Sequence, residues 1–192
     1  MQKSIFKRYL SITMIIVILS FTMLGSMMML FFSQYWRNEK KELLTQNASS
    51  IAGLAEGYLV QEEKNQYRLP AEVLQGFISS FSTSIDADIF ITDLKGNILA
   101  GNYPNSKLQS PVQVPEQAVA LAAKGMYEGK NNLDGFYKSS YYIIGVPMYA
   151  RTDNTCVGAV FAATSVVTVN SFRDEWFRIF LVAAAVALAV AF

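Results

Sequence analysis

Ile89-Phe90-Ile91-Thr92-Asp93-Leu94-Lys95-Gly96-Asn97-Ile98-Leu99 reads as two strands joined by a tight turn. Ala87 to Asp93 predicts a strand in which Ile89 and Ile91 alternate with Asp88 and Thr92. Asp93 to Asn97 predicts the turn, with Gly96 free to take positive φ, and Ile98-Leu99-Ala100 predicts the returning strand. Two strands are not stable alone in water, so the neighbouring sequence has to supply what pairs with them and covers them.

Downstream, Gly101 to Val114 is a looser stretch containing Pro104 and Pro111. Pro115-Glu116-Gln117 opens a helix whose apolar residues are Ala118, Val119, Leu121 and Ala122. Glu116 in its first turn, Lys124 in its last and Gly125 beyond the end suit the helix dipole and cap. β character then returns in Met126 to Lys130, in the aromatic and branched run Tyr141 to Tyr149, and in Thr155 to Ser165. Arg151 to Asn154 is a polar turn, and Gly158, Ala159, Ala162 and Ala163 permit close packing in the last strand. Asn170 or Ser171 caps a final helix, with Asp174 completing a capping box and Trp176 marking a membrane interface. Residues 179–192 are uncharged but too few to cross a bilayer, which predicts a longer protein whose cytoplasmic part lies beyond them.

Upstream, Tyr9 to Trp36 carries no formal charge and is long enough to span a bilayer as a helix. Lys3, Lys7 and Arg8 precede it without an acidic residue, which predicts a cytoplasmic N-terminus. A cleaved signal peptide ending near Leu24-Gly25-Ser26 is the alternative, although the apolar run outlasts the usual signal core of roughly 7–15 residues. Arg37 to Leu59 predicts one continuous helix leaving the membrane. Leu44, Ala48, Ile51, Ala55 and Tyr58 form a heptad seam on it, and Leu43, Leu54 and Leu59 form a second flank. The expectation is that the seam pairs two copies while the flank serves the domain; the alternative is that the seam packs on its own domain. Gln61 to Gln66 reads as a polar loop. Pro70 then opens a helix with Val73, Leu74, Phe77, Ile78 and Phe81 buried, ending at Ser82-Thr83-Ser84.

Composition narrows the function. Among 192 residues the net charge is +1, and after the first eight residues the balance is slightly acidic, so no cationic surface points to nucleic acid. Histidine is absent, which removes the commonest general base and zinc ligand. Cys156 is the single cysteine, so an intramolecular disulfide is impossible.

The hairpin Ile89 to Leu99 resembles the first hairpin of extracytoplasmic PAS-like domains of the single-Cache type. Tyr141 to Tyr149, followed by Val157 to Phe161, resembles the last two strands of that fold. The resemblance covers roughly Arg37 to Ser165. It implies an α+β domain with an antiparallel sheet of about five strands and a long N-terminal helix, flanked by two transmembrane helices. The implied organisation is a cytoplasmic N-terminus at 1–8, a first transmembrane helix at 9–36, an extracytoplasmic PAS-like sensor domain at 37–174 and the start of a second transmembrane helix at 175–192. Such an arrangement implies the input region of a two-component sensor histidine kinase in the cell membrane. The alternatives are a chemotaxis transducer, a nucleotide cyclase, or a membrane-anchored protein that recruits partners.

No catalytic constellation, cofactor motif or metal-ligand spacing is present in the residues given. Asp86, Asp88 and Asp93 lack the spacing of a calcium loop. The expected site is a ligand pocket drawn from the segment Tyr127 to Arg151, with Tyr127, Lys138, Tyr141 and Arg151 as ligand-binding residues and Tyr137 and Tyr142 nearby. Aromatic walls with one or two cations suit a small carboxylate or amine. The alternative is that these tyrosines are packing residues and the cations are solvated turn charges. A small molecule or an extracytoplasmic protein is the expected partner, with a homodimer as the expected assembly.

Overall fold

The computed structural model describes residues 2–63, 66–103 and 113–166, together with positions 177–179, 181–182 and 185. The chain divides into two compact units, Met1–Asn38 with Thr168–Phe192, and Glu39–Val167.

Helix α1 runs from Gln2 to Tyr58 without interruption. Its stretch Ile12–Tyr58 holds a segment long and apolar enough to cross a membrane. Ile15, Leu19, Met23, Met28 and Leu30 all lie exposed there, as lipid-facing side chains do. The second predicted membrane helix falls mostly outside the described residues, as do its caps at Asn170 and Ser171. The few described positions from 177 to 185 are helical.

The second unit is an α+β domain. After α1 come β1 (Val60–Glu63), β2 (Gln66–Arg68), α2 (Ala71–Ile85), β3 (Asp88–Asp93), β4 (Ile98–Asn102), α3 (Glu116–Ala123), β5 (Tyr127–Asn131), β6 (Tyr141–Tyr149) and β7 (Cys156–Ser165). β3 to β7 form one five-stranded sheet in the order β4-β3-β7-β6-β5, antiparallel throughout. Its first and last strands in the chain therefore pair at its centre. β1 and β2 make a separate two-stranded ribbon, with Val60 opposite Arg68 and Gln61 opposite Tyr67. The expected polar loop at Gln61 to Gln66 is thus a hairpin, tied to the turn after β6 by the Tyr67 hydroxyl, which donates to Asp153 Oδ2 at 3.0 Å.

The β3–β4 turn forms as its composition requires. Asp93 Oδ1 accepts the backbone N–H groups of Lys95 and Asn97 at 2.8 Å each, and Gly96 takes φ +84°. A Cβ at Gly96 would also collide with the Val114 carbonyl oxygen.

Both faces of the sheet are covered. Leu44, Ala48, Ile51 and Ala55 of α1, with Leu74 and Ile78 of α2, pack on Ile89, Ile91, Tyr142, Ile144, Met148 and Val160. Val119 and Ala122 of α3, with Leu133, Phe136 and Tyr137 of the β5–β6 connection, pack on Phe90, Ile143 and Phe161 of the opposite face. Burying a Leu, Ile or Phe side chain in this way stabilises by roughly 1.5–3 kcal/mol.

Several corrections follow from this packing. The heptad seam is spent on its own domain: Leu44, Ala48, Ile51 and Ala55 are 0% exposed, so they offer nothing to a second copy, while Tyr58 stays exposed. Of the flank expected to serve the domain, Leu54 packs against this core, while Leu43 and Leu59 are only half-buried. On α2, Val73 and Phe77 are exposed, because the helix meets the sheet along Leu74, Ile78 and Ser82. The helix also runs on to Ile85 and ends where Asp86 takes φ 51° and returns its N–H to the Ser82 carbonyl. Finally, β3 does not alternate between core and solvent; Phe90 and Thr92 are as buried as Ile89 and Ile91.

Candidate functional site

On the α3 face of the sheet, aromatic side chains touch in series. Tyr127 meets Phe161 edge-on at 6.1 Å, Phe161 stacks on Phe90 at 5.4 Å, and Phe90 lies 5.2 Å from Phe136. Phe136 meets Tyr137 edge-on at 4.8 Å, and Tyr137 stacks on Tyr141 at 3.8 Å with 13° between the rings. The series ends at the end of the sheet where β3 begins. There Asp88 is paired with Ala163 of β7, which in turn is paired with Ile143 of β6.

Tyr137 reaches this place through an unusual turn. Leu133, Asp134 and Gly135 all take positive φ, at 47°, 50° and 92°. For Leu and Asp that conformation is strained by about 1–2 kcal/mol each. The turn is held by Asn131 Oδ1, which accepts the Leu133 N–H, and by the Tyr137 N–H, which donates to the Asn132 carbonyl at 2.9 Å. It folds Leu133, Phe136 and Tyr137 inward; each is under 5% exposed.

The series ends in polar chemistry. Asp88 Oδ2 and the Tyr137 hydroxyl are both shut off from solvent, and they act on one another as side-chain hydrogen-bond partners outside ordinary geometry. Burial raises the Asp88 carboxyl from the ordinary 3.8 to about 6, the Tyr137 hydroxyl draws it back down, and Asp86 nearby pushes it up again. Burial also raises the Tyr137 phenol far above its usual range, with the Asp88 charge adding to it. Tyr141 is raised by its own burial and then by Asp88.

The four residues expected to bind a ligand separate in space. Tyr141 stands in the cluster, half-buried against Tyr137. Tyr127 lies further along the same aromatic series, its hydroxyl accepting the Asn131 amide at 2.8 Å. Lys138 follows Tyr137 but is exposed. Arg151 lies beyond the far end of β6; Tyr141 and Tyr149 alone are separated by about 26 Å at the usual strand rise. Its guanidinium lies beside Gly57 of α1, 3.7 Å from where a Cβ there would stand. Tyr142 faces α1 instead, donating to Glu128 Oε1 at 2.7 Å, while Glu128 Oε2 pairs with Lys41 at 2.6 Å.

Asp88 is the residue that sequence reasoning passed over. A signal was present, since it shares the parity of Phe90 in β3, but it is legible only once that face is known to be covered.

Comparison with solved structures identifies the architecture. The ligand-binding domain of the Campylobacter jejuni chemoreceptor Tlp3, in complex with 4-methylisoleucine, matches 69% of this chain and 52% of its own at a TM-score of 0.51 and 15% identity. The chain shares its fold with that ligand-binding domain. The Escherichia coli DcuS sensor domain matches over 70% of this chain and 91% of its own, at a TM-score of 0.48 and 14% identity. The sensor domain of the Vibrio cholerae histidine kinase DctB matches over 50% and 38%, at 0.40 and 14%. The chain thus spans about half or less of the Tlp3 and DctB domains. No protein-family profile matches the sequence, and no curated protein matches it. The expected antiparallel sheet of five strands and the long N-terminal helix are both present.

Proposed function

We propose that this chain is the signal-sensing input region of a transmembrane receptor and that it receives a small molecule on the α3 face of its sheet. Residues 9–36 are the first membrane span, 37–174 lie outside the cytoplasm and 175–192 begin the second span. The basic residues Lys3, Lys7 and Arg8 ahead of the apolar run support that orientation. A ligand that favours one arrangement of the domain would act on the output by population shift, which requires unequal affinity for the two arrangements. A sensor histidine kinase is the proposed output; a chemotaxis transducer or nucleotide cyclase is the alternative within the same class.

The observation that carries this reading is the pair of Asp88 and Tyr137, set against each other outside ordinary hydrogen-bond geometry at the end of an aromatic series. A domain stabilised only by packing gains little from a carboxyl and a phenol buried together, whereas a binding site uses such groups. The fold's likeness to a domain solved with 4-methylisoleucine supports the same reading. Tyr137, Asp88 and Tyr141 are the proposed contacts, with Tyr127 in the wall behind them; Lys138 and Arg151 stand apart.

Thermal melting of the purified chain against amino acids, organic acids and amines tests the proposal. A ligand at a hundredfold excess over its dissociation constant adds about 2.7 kcal/mol to stability and raises the midpoint. The rise is expected to vanish in Tyr141→Ala and to persist in Arg151→Ala. A panel without any shift would overturn the small-molecule reading and favour a protein partner.

A further inference from the structure

We propose that Lys41, Glu128 and Tyr142 form a latch that holds one end of the α1 stripe against the sheet, and that the stripe's other end is its pivot. The latch lies on the face of the sheet opposite the proposed ligand site, and it stands or falls independently of that site.

The stripe packed on the sheet is Leu44, Ala48, Ile51 and Ala55, and Lys41 occupies the next position of the same three-and-four spacing. A charge therefore stands where the repeat calls for an apolar residue. Its ammonium meets Glu128 Oε2 at 2.6 Å, and Glu128 Oε1 accepts the Tyr142 hydroxyl at 2.7 Å. The Tyr142 ring belongs to the core beneath the stripe, so the cluster joins helix, edge strand and core at one point. A polar contact in an apolar seam adds little stability but fixes how the two surfaces meet, because only one arrangement pairs the charges.

The other end of the stripe is held by the chain itself. Glu56 Oε1 accepts the backbone N–H of Tyr149 at 3.0 Å, where the β6–β7 pairing shifts register. Just beyond it α1 ends at Tyr58, and β1 begins at Val60. Lys41 and Glu56 lie about 22 Å apart along the helix, and Tyr142 and Tyr149 about 23 Å apart along β6, at the usual rises. The stripe thus lies along β6 with a tethered end and an end closed by an ion pair.

That ion pair opens at little cost. Lys41 and Glu128 are both partly exposed, so water and salt compete for their charges. Opening would free Leu44 first, since it is the large side chain beside the latch, while the Glu56 contact stays closed. α1 runs unbroken from this stretch into a segment apolar enough to cross a membrane, so a swing at Lys41 is passed along one continuous helix.

Spin labels on the full chain in lipid nanodiscs, with Cys156→Ser, separate the two ends. Glu42→Cys with Asn132→Cys spans the latch, and Tyr58→Cys with Lys95→Cys reports on the pivot; all four positions are exposed. Without further change each pair should give one narrow distance. Lys41→Leu, which completes the apolar stripe, and Glu128→Gln should each widen the latch distances by about 5 Å, the length of one helical turn, and leave the pivot distance alone. Reversal of the charges, Lys41→Glu with Glu128→Lys, should restore the narrow latch distance, which a role in packing alone would not produce. Should a variant fail to fold, 1 M salt replaces it, because screening over about 3 Å should widen the latch distances in the unreversed chain. Latch distances that stay narrow in both variants, that change together with the pivot, or that do not recover on charge reversal would overturn the latch.

Discussion

The rings of Tyr137 and Tyr141 stack 3.8 Å apart at 13°, and the Tyr137 hydroxyl acts on Asp88 outside ordinary hydrogen-bond geometry. The ring and the hydroxyl therefore have separable roles. Tyr137→Phe keeps the stack and removes a sealed polar atom, so stability should stay within about 1 kcal/mol of the parent or rise. Tyr137→Ala should cost about 3–5 kcal/mol by emptying a core position. Urea unfolding of the two variants checks the contrast; equal losses in both would mean that the hydroxyl is already satisfied.

Asp88 predicts a pH dependence of stability. Its folded-state carboxyl is raised from 3.8 to about 6, so the folded form holds the proton more tightly than the unfolded chain does. The stabilisation from that proton is complete below pH 3.8 and is lost as pH rises through about 6. For a half-buried group, solvent screening reduces the effect to on the order of 1 kcal/mol. Melting curves from pH 4 to 8 should show this loss in the parent, and Asp88→Asn should flatten it. A slope that survives unchanged in the variant would assign it to other carboxylates.

The α1 stripe gives a prediction about folding rather than assembly. Leu44→Ala and Ile51→Ala each remove a side chain that is 0% exposed and packed on the sheet. Each should cost about 2–5 kcal/mol of domain stability. The unfolding midpoint should move with no dependence on protein concentration beyond that of the parent; a concentration-dependent midpoint appearing only in the variants would return the stripe to an interface between copies.

Gly145 predicts an overpacking effect. Its backbone φ is ordinary, but a Cβ there would stand 2.6 Å from the Phe161 ring and 3.1 Å from the Ala122 Cβ. Gly145→Ala should destabilise by about 1–3 kcal/mol, since strand, ring and helix α3 must part to admit a methyl group. Denaturant titration checks it, and a neutral result would mean that α3 yields without loss.

Lys41, Glu128 and Tyr142 join α1 to the two outer strands β5 and β6. Because Lys41 and Glu128 are 42% and 38% exposed, their pair should contribute under about 1 kcal/mol. A double-mutant cycle with Lys41→Ala and Glu128→Gln measures that coupling, and a value above about 2 kcal/mol would mark it as a structural tie rather than a surface contact.

By itself, the amino-acid order determined what depends on neighbours in the chain. Asp93 and Gly96 set the β3–β4 turn because a side-chain acceptor and a positive φ are local requirements. The run Tyr141 to Tyr149 became one strand because aromatic and branched residues favour it, and the apolar stripe on α1 became a buried face because its period of seven is written in the residues themselves. Tertiary structure decided what each face meets. Periodicity shows that Leu44 and Ile51 share a side, but only the packed sheet shows that they are covered by their own domain. It shows that Tyr141 and Tyr142 point apart, but not that one meets Tyr137 and the other Glu128. Asp88 looked like a solvent-facing strand residue until the turn through Leu133 and Asp134 brought Tyr137 to it. That turn uses positive φ in residues that rarely adopt it, so no local signal announced it. Such a conformation persists only because the surrounding contacts of Leu133, Phe136 and Tyr137 hold it in place.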